Sequence, residues 1–139
     1  MHLFAYGTLV FEDIWQLIVG RVVQSRAATL RGYEVRRAEG DLYPVMFESE
    51  VSDESSAIEN VPGFVYYDLT ESEFQRLDDY ESGLYYRRTV LPLLEDGTVI
   101  RCDSYVLPQR NLQYASELPW TQQWFAQHAK QRYMQRLLH

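Results

Sequence analysis

The sequence has few of the residues that support disulfide, metal or nucleic-acid chemistry. Its 139 residues include one cysteine, Cys102, which excludes an intramolecular disulfide. One lysine is present among 13 basic residues and the formal net charge is −7, which argues against binding to a nucleic-acid backbone. The histidines, His2, His128 and His139, lack metal-ligand spacing. We therefore expect no metal, no cofactor and no nucleic-acid partner.

Long hydrophobic runs and common catalytic motifs are also missing. No apolar run approaches the roughly 18 residues of a membrane-spanning helix, and the first residues do not resemble a signal peptide. The chain has no phosphate-binding glycine pattern and no serine nucleophile elbow. Cys102 lies in a strand-like stretch, which favours a buried apolar role over a nucleophilic one. These features predict a soluble, cytoplasmic protein that does not bind membranes.

What the sequence does contain is typical of one globular domain covering residues 1–139. Hydrophobic residues make up 46% and charged residues 24%. The 11 tyrosines suit half-buried strands and pockets, because each has an apolar ring and a polar tip.

The order of predicted elements indicates an α+β domain on a curved, largely antiparallel sheet. Strands are predicted at residues 2–6, 22–30, 33–37, 45–47, 61–69, 85–94 and 98–107. The last two flank a hairpin turn at Asp96-Gly97. Helices are predicted near residues 12–19, at 71–80 and at 120–138. Thr70 and Glu73 form a capping-box pattern, and the polar stretch Ser49 to Asn60 is predicted to be a surface loop.

The stretch FAYGTLVF, residues 4–11, allows two interpretations. It fits a plain corner between a strand and a helix. It also fits a loop whose backbone amides face a ligand, because glycine lets another group approach the backbone closely. The local pattern does not choose between them.

The acidic end of the predicted helix at 71–80 is the second candidate site. Phe74, Leu77, Asp78 and Glu81 share one helical face, so Glu81 is expected near the buried edge. Asp78, Asp79 and Glu81 fit a solvated acidic end. They also oppose the helix dipole and one another, which raises carboxylate pKa values and is tolerated most often where function requires it.

A strand is predicted directly after this helix end. Alternation places Tyr86 and Arg88 on one face, and a turn at Gly83 lets the strand fold back beside the helix. We expect Arg88 to form an ion pair with one of the three acids. This pair would either be purely structural or support the site.

Five segments together resemble the γ-glutamylcyclotransferase-like superfamily, within it the avirulence-induced-gene-like branch that includes γ-glutamylamine cyclotransferase. They are FAYGTL at 4–9, Tyr43-Pro44, VPGFVYYDL at 61–69, FQRLDDYESGLYYRR at 74–88 and PWTQQWFAQHAKQRY at 119–133. The order YGTL, then LD-x-[FY]-E, then Y-x-R is more specific than any one segment.

The resemblance implies a compact, mostly antiparallel β-barrel flanked by helices, with a pocket at one mouth. It implies a catalytic role for Glu81 and an ion-pair support role for Arg88. It also implies a substrate-binding set: Tyr6, Gly7, Thr8, Leu9 and Tyr86. The family often has Glu-Gly where this chain has Glu81-Ser82, which would shift the following turn by one residue.

The implied reaction releases 5-oxoproline from a small γ-glutamyl compound. The α-amine attacks the γ-carbonyl, with Glu81 as general base. Two alternatives stay open: a non-catalytic binding or interaction module on the same fold, and a hydrolase in which Glu81 activates water. We expect Tyr6 to Leu9 and Glu81 to face one pocket.

Overall fold

The computed structural model describes residues 1–49, 59–81 and 83–138. Most of the loop predicted at Ser49 to Asn60, and Ser82 after the predicted catalytic glutamate, lie outside these ranges. Within these ranges the strands are β1 (Leu3–Ala5), β2 (Ser25–Arg31), β3 (Tyr33–Ala38), β4 (Pro44–Glu48), β5 (Asn60–Tyr66), β6 (Tyr86–Val90), β7 (Leu93–Leu94), β8 (Cys102–Val106) and β9 (Ala115–Pro119). The α-helices in the same ranges are α1 (Glu12–Val19), α2 (Glu71–Tyr80), α3 (Gln122–His128) and α4 (Lys130–Leu137).

The strands form two sheets, which confirms a largely antiparallel α+β fold. The larger sheet has six strands in the order β6-β8-β1-β5-β2-β7, and the smaller has the order β4-β3-β9. The pair β1–β8 is parallel and the other pairs are antiparallel. Within the described residues the strands do not join into one closed ring, so the expected barrel is not what the structure shows. The reason is that β3 pairs with β4 and β9, which leaves β6 and β7 as the edges of the larger sheet.

The centre of the larger sheet is the short strand β1. Leu3, Phe4 and Ala5 are at most 4% exposed, because β5 covers one edge of the strand and β8 the other. Gly63 of β5 allows this close approach, since a Cβ atom there would lie 2.3 Å from the Ala5 carbonyl oxygen. The chain therefore leaves β1 at Tyr6 from a tightly held position.

Helix α2 begins with the predicted capping box. The Thr70 hydroxyl accepts the Glu73 N–H at 3.2 Å, and the Glu73 carboxylate accepts the Thr70 N–H at 2.9 Å. Phe74 and Leu77 are buried as predicted. Glu73 is also buried, and its hydrogen bond to Arg21, together with the capping bonds, lowers its pKa to about 2.

The predicted helix at 120–138 is two helices. Thr121 caps α3, and the backbone leaves helical geometry at Ala129 (φ −133°, ψ −25°), which ends α3 and begins α4. Ala129 is 2% exposed, so it packs into the core at this break. The apolar periodicity continues through the break, which is why the sequence predicts one helix.

Replacing Glu73 with Gln is expected to destabilise the fold in a pH-dependent way. The pKa of Glu73 is lower in the folded chain than its usual 4.5, so its contribution is present above about pH 4.5 and is lost as the pH falls toward 2. Glu73→Gln should lower the free energy of unfolding by about 1–3 kcal/mol at pH 7, because Arg21 and the cap lose a charged partner. Urea unfolding at about pH 7 and pH 3 should show the difference narrowing at the lower pH. Glu71→Gln, at an exposed position of the same turn, is the control.

Candidate functional site

A cavity of about 300 Å³ opens where β1, the end of α2 and helix α4 meet. Its lining includes the chain from Leu3 to Leu9, Pro44, Glu81, Leu84 and Arg136. Six tyrosines complete it: Tyr6, Tyr43, Tyr80, Tyr85, Tyr105 and Tyr133. The structure therefore brings the predicted residues Tyr6, Gly7, Thr8, Leu9 and Glu81 together around one space. The volume suits a small molecule.

Glu81 stands at the end of α2, where its N–H donates to the Leu77 carbonyl at 2.9 Å. Part of the residue remains exposed at the cavity wall, but burial raises the pKa of its carboxyl group to about 8. No hydrogen bond or ion pair of this carboxyl group is found within the described residues. A buried carboxyl group without a partner is costly in its charged form, and this cost is the cause of the raised pKa.

The tyrosines around Glu81 share its poorly solvated environment. Burial raises the pKa of Tyr6, Tyr80, Tyr85, Tyr105 and Tyr133, and the negative charge of Glu81 raises each further. These hydroxyl groups therefore remain protonated at neutral pH and act as hydrogen-bonding groups.

The chain from Tyr6 to Leu9 turns sharply as it leaves β1. The buried Tyr6 hydroxyl donates to the Tyr105 carbonyl at 2.7 Å, which ties the turn to β8. A single turn of 3₁₀ helix follows at Thr8–Val10, and the Val10 N–H bonds the Gly7 carbonyl at 3.2 Å. The N–H groups of Thr8 and Leu9 precede this bond, so the turn itself gives them no acceptor. Within the described residues, no hydrogen-bond acceptor is found for either N–H group.

The reason for glycine at position 7 differs from the one that the sequence suggests. A Cβ atom at Gly7 would lie 2.6 Å from Cγ of Pro44. Pro44 is buried and belongs to the same cavity wall. Position 7 therefore requires glycine because a larger residue would collide with the proline ring. The segments Tyr43-Pro44 and YGTL are in direct contact through Gly7 and Pro44.

A chain of hydroxyl groups connects three elements at the cavity. Thr8 Oγ1 lies 2.8 Å from the Tyr80 hydroxyl, which is also hydrogen-bonded to the Tyr133 hydroxyl. Neither Tyr80 nor Tyr133 is predicted from the sequence as a site residue. Both lie within segments that carry the family resemblance, which is the signal that could have indicated them.

Tyr86 and Arg88 are not among the described residues that line the cavity, so the structure gives no support for the pocket role that the resemblance implies for Tyr86. Tyr86 is 40% exposed on β6, and Tyr85 lines the cavity in its place. Arg88 pairs with Glu48 of β4 at 3.2 Å instead of an acid of α2. Its guanidinium also donates to the Tyr86 hydroxyl at 3.4 Å. Both side chains lie on the strand face that points away from α2.

Arg87, and not Arg88, makes the predicted ion pair with an acid of α2. It lies 3.1 Å from Asp78 and 3.3 Å from Asp103, and its guanidinium stacks over the Phe74 ring. Adjacent strand residues face opposite sides, so an error of one position reverses the partner. Asp78 also accepts a bond from the Tyr105 hydroxyl at 2.7 Å, and Glu81 is left outside this network.

Other chemistries receive no support from the described residues. Cys102 is buried away from the cavity lining, and burial, with Asp103, raises its pKa to about 12. No group of three metal-ligating side chains is found in the described ranges. No helix in the described part of the chain is long and apolar enough to cross a membrane.

Solved structures define the class of fold. A protein from Arabidopsis thaliana, solved in solution, is 25% identical and has a TM-score of 0.68, with 98% of this chain and 87% of that chain covered. A γ-glutamyl cyclotransferase structure shares the fold at 21% identity and a TM-score of 0.62, over 77% of this chain and 66% of the other. The fold is γ-glutamyl-cyclotransferase-like.

Sequence comparison then gives the family. The family described as gamma-glutamyl cyclotransferase, AIG2-like, matches residues 3–125, and the chain belongs to it. AIG2-like protein D of Arabidopsis thaliana is 32% identical over 99 residues, which cover 70% of this chain and 60% of that protein. The chain spans 54–60% of the length of the curated relatives it matches.

The stability of the folded chain should report the burial of Glu81. Its pKa is higher in the folded chain than its usual 4.5, so wild-type stability is lost as the pH rises from about 4.5 through about 8. Glu81→Gln should therefore be more stable than the wild type near pH 8.5, with a difference that shrinks toward pH 5. Chemical unfolding across this range measures the effect. Asp79→Asn removes a charge from an exposed position of the same helix and should give no comparable gain.

Proposed function

We propose that this chain is a γ-glutamylcyclotransferase that acts on a small γ-glutamyl compound and releases 5-oxoproline and a free amine. The observation that carries the proposal is the position of Glu81. Its carboxyl group has a raised pKa and lies in the same cavity as the turn from Tyr6 to Leu9. Membership of the γ-glutamyl cyclotransferase, AIG2-like family supports the same reaction.

The reaction needs no group beyond the substrate and one proton carrier. The α-amine of the γ-glutamyl group attacks the γ-carbonyl carbon, and a new C–N bond closes the five-membered ring. The C–N bond to the leaving amine then breaks. The α-ammonium loses two protons in becoming the lactam N–H, and the leaving nitrogen gains two in becoming an ammonium group. Glu81 carries these protons one at a time, so atoms and charges balance.

The cavity suits this proton transfer because Glu81 has a pKa near that of an amine. A carboxylate of ordinary pKa is a weak base toward an ammonium group, whereas one with a pKa of about 8 is better matched. Enclosure by tyrosine rings also keeps the carboxylate away from bulk water, which strengthens its interaction with an ammonium group.

The turn from Tyr6 to Leu9 supplies the binding half of the proposal. The N–H groups of Thr8 and Leu9 precede the first bond of the 3₁₀ turn and are suited to oxygens of the glutamyl group. Ring closure requires a bent chain, and holding the amine near the carbonyl accounts for as much as roughly 7–11 kcal/mol of the barrier in favourable cases. The closed wall formed by Gly7 and Pro44 supports that bent shape.

Glu81→Gln is expected to lower kcat for 5-oxoproline release by about 10²–10⁴-fold, because the amide cannot accept a proton. Binding of a γ-glutamyl ligand should persist, since the turn from Tyr6 to Leu9 is unchanged. A panel of γ-glutamyl compounds, scored for 5-oxoproline and for free glutamate, measures the effect. Asp79→Asn is the matched control for loss of a negative charge.

Three results would contradict this assignment. Full activity of folded Glu81→Gln would remove Glu81 from the mechanism. Release of free glutamate would indicate hydrolysis, and binding without any product would indicate a non-catalytic module.

The pH dependence gives an independent measurement. In the free chain Glu81 must lose its proton to act as base, so kcat/KM should fall about tenfold per pH unit below about pH 8 and level off above it, until the substrate itself titrates. An ammonium group bound beside Glu81 lowers its pKa, so the kcat profile should bend at a lower pH. A kcat/KM profile that is flat from about pH 6 to pH 9 is incompatible with the proposed base.

A further inference from the structure

Helix α4 supplies two side chains to the cavity from outside the segment that the family match covers. The match ends at residue 125, whereas Tyr133 and Arg136 both line the cavity. Three residues apart, they share one face of the helix. This wall of the cavity is therefore a place where this chain can set its own specificity.

Arg136 is the one cationic side chain among the described residues that line the cavity. Its Nη1 donates to Asp41 Oδ1 at 2.6 Å, and the same oxygen accepts the Leu42 N–H at 2.8 Å. Asp41 is not a lining residue, so it holds the guanidinium from behind. Within the described residues, Nε and Nη2 of Arg136 have no protein acceptor, and they remain available to a ligand.

Arg136 does not pair with Glu81 across the cavity. No ion pair of Glu81 is found within the described residues, whereas Arg136 pairs with Asp41 at 2.6 Å. The Arg136 side chain is 57% exposed, which places it at the mouth of the cavity.

We propose that Arg136 binds a carboxylate on the leaving half of the substrate and so determines which amines are released. The proposal rests on the proposed function: with the α-amine at Glu81, the leaving half extends toward the mouth. A guanidinium group recognises carboxylates and disfavours cationic groups. The chain should therefore prefer γ-glutamyl amino acids to γ-glutamyl conjugates of uncharged amines, and those to conjugates of polyamines.

The test uses two substrates with the same glutamyl half. γ-Glutamyl-alanine carries a carboxylate on its leaving half, and γ-glutamyl-ethylamide does not. Arg136→Gln should lower kcat/KM for γ-glutamyl-alanine about tenfold, mainly through KM, and leave γ-glutamyl-ethylamide unchanged. This tenfold loss lies near the lower end of the range expected for a hydrogen bond to a charged group, because Arg136 is partly exposed and solvent weakens the interaction.

Control variants separate charge recognition from general damage. Arg132→Gln, on the same helix, removes an exposed guanidinium that bonds the His128 carbonyl at 3.2 Å and should change neither substrate. Arg136→Lys retains the charge and should keep part of the preference. Unfolding curves of all variants should coincide within error, which excludes loss of the fold as the cause.

The outcomes discriminate between the sources of the carboxylate. Equal losses for both substrates would assign Arg136 to the α-carboxylate of the glutamyl half and overturn the leaving-group assignment. No change for either substrate would overturn any binding role for Arg136.

A binding measurement separates this proposal from the proposed reaction. Calorimetry compares two inactive variants, Glu81→Gln alone and Glu81→Gln combined with Arg136→Gln. The double variant should bind γ-glutamyl-alanine with a dissociation constant about tenfold higher than that of Glu81→Gln alone. If the wild type released no 5-oxoproline, the reaction would be wrong, while this comparison would still decide the carboxylate site. Absence of binding to either ligand would overturn both.

Discussion

The pairing of β1 between β5 and β8 is the constraint on which the candidate site depends. β1 has three residues, yet it is covered along both edges and on both faces. Two hydrogen bonds with β8 fix the strand further. The Ser104 hydroxyl donates to the Phe4 carbonyl at 2.8 Å, and the Tyr6 hydroxyl donates to the Tyr105 carbonyl. The turn that follows therefore begins from a fixed point. Leu9 at the end of the turn and Leu77 before Glu81 belong to the same core cluster, which fixes the position of the turn relative to the end of α2.

The raised pKa of Glu81 follows from how the surrounding tyrosines use their hydroxyl groups. Tyr6 donates to a backbone carbonyl of β8, Tyr85 to the Pro44 carbonyl and Tyr105 to Asp78. These three hydroxyl protons are thus bonded to other acceptors, and burial leaves the carboxylate poorly solvated. A carboxylate in such surroundings gains more from an approaching ammonium group than one already bonded to protein donors, because few existing bonds must be broken.

The sequence predicts well the features that depend on local chemistry. The capping box at Thr70 and Glu73, the burial of Phe74 and Leu77, and the approach of YGTL to Glu81 follow from side-chain pattern or family resemblance. The predictions that the structure does not support involve contacts that are set by how separate elements of the fold pack together. Strand alternation alone does not tell which of Arg87 and Arg88 faces α2, and Tyr86 is misplaced for the same reason.

Two further features could not be read from the sequence because their partners are distant in it. The need for glycine at position 7 comes from Pro44, on another strand. The break at Ala129 occurs inside a continuous apolar pattern that suits one helix, so nothing local marks it. Arg136 lies beyond this break, and the fold brings it to Asp41, 95 residues earlier in the chain.

The distance between Glu81 and the cavity's cation matters for the proposed chemistry. A guanidinium beside Glu81 would stabilise the carboxylate, lower its pKa and make it a poorer acceptor for an ammonium proton. It would also repel the ammonium group that has to bind there. With Arg136 at the mouth, the carboxylate keeps a pKa set by burial, and a cation remains available for recognition. An enzyme of the proposed kind, which takes a proton from one end of an amino-acid conjugate and recognises a charge at the other, requires that the carboxylate and the cation remain separate.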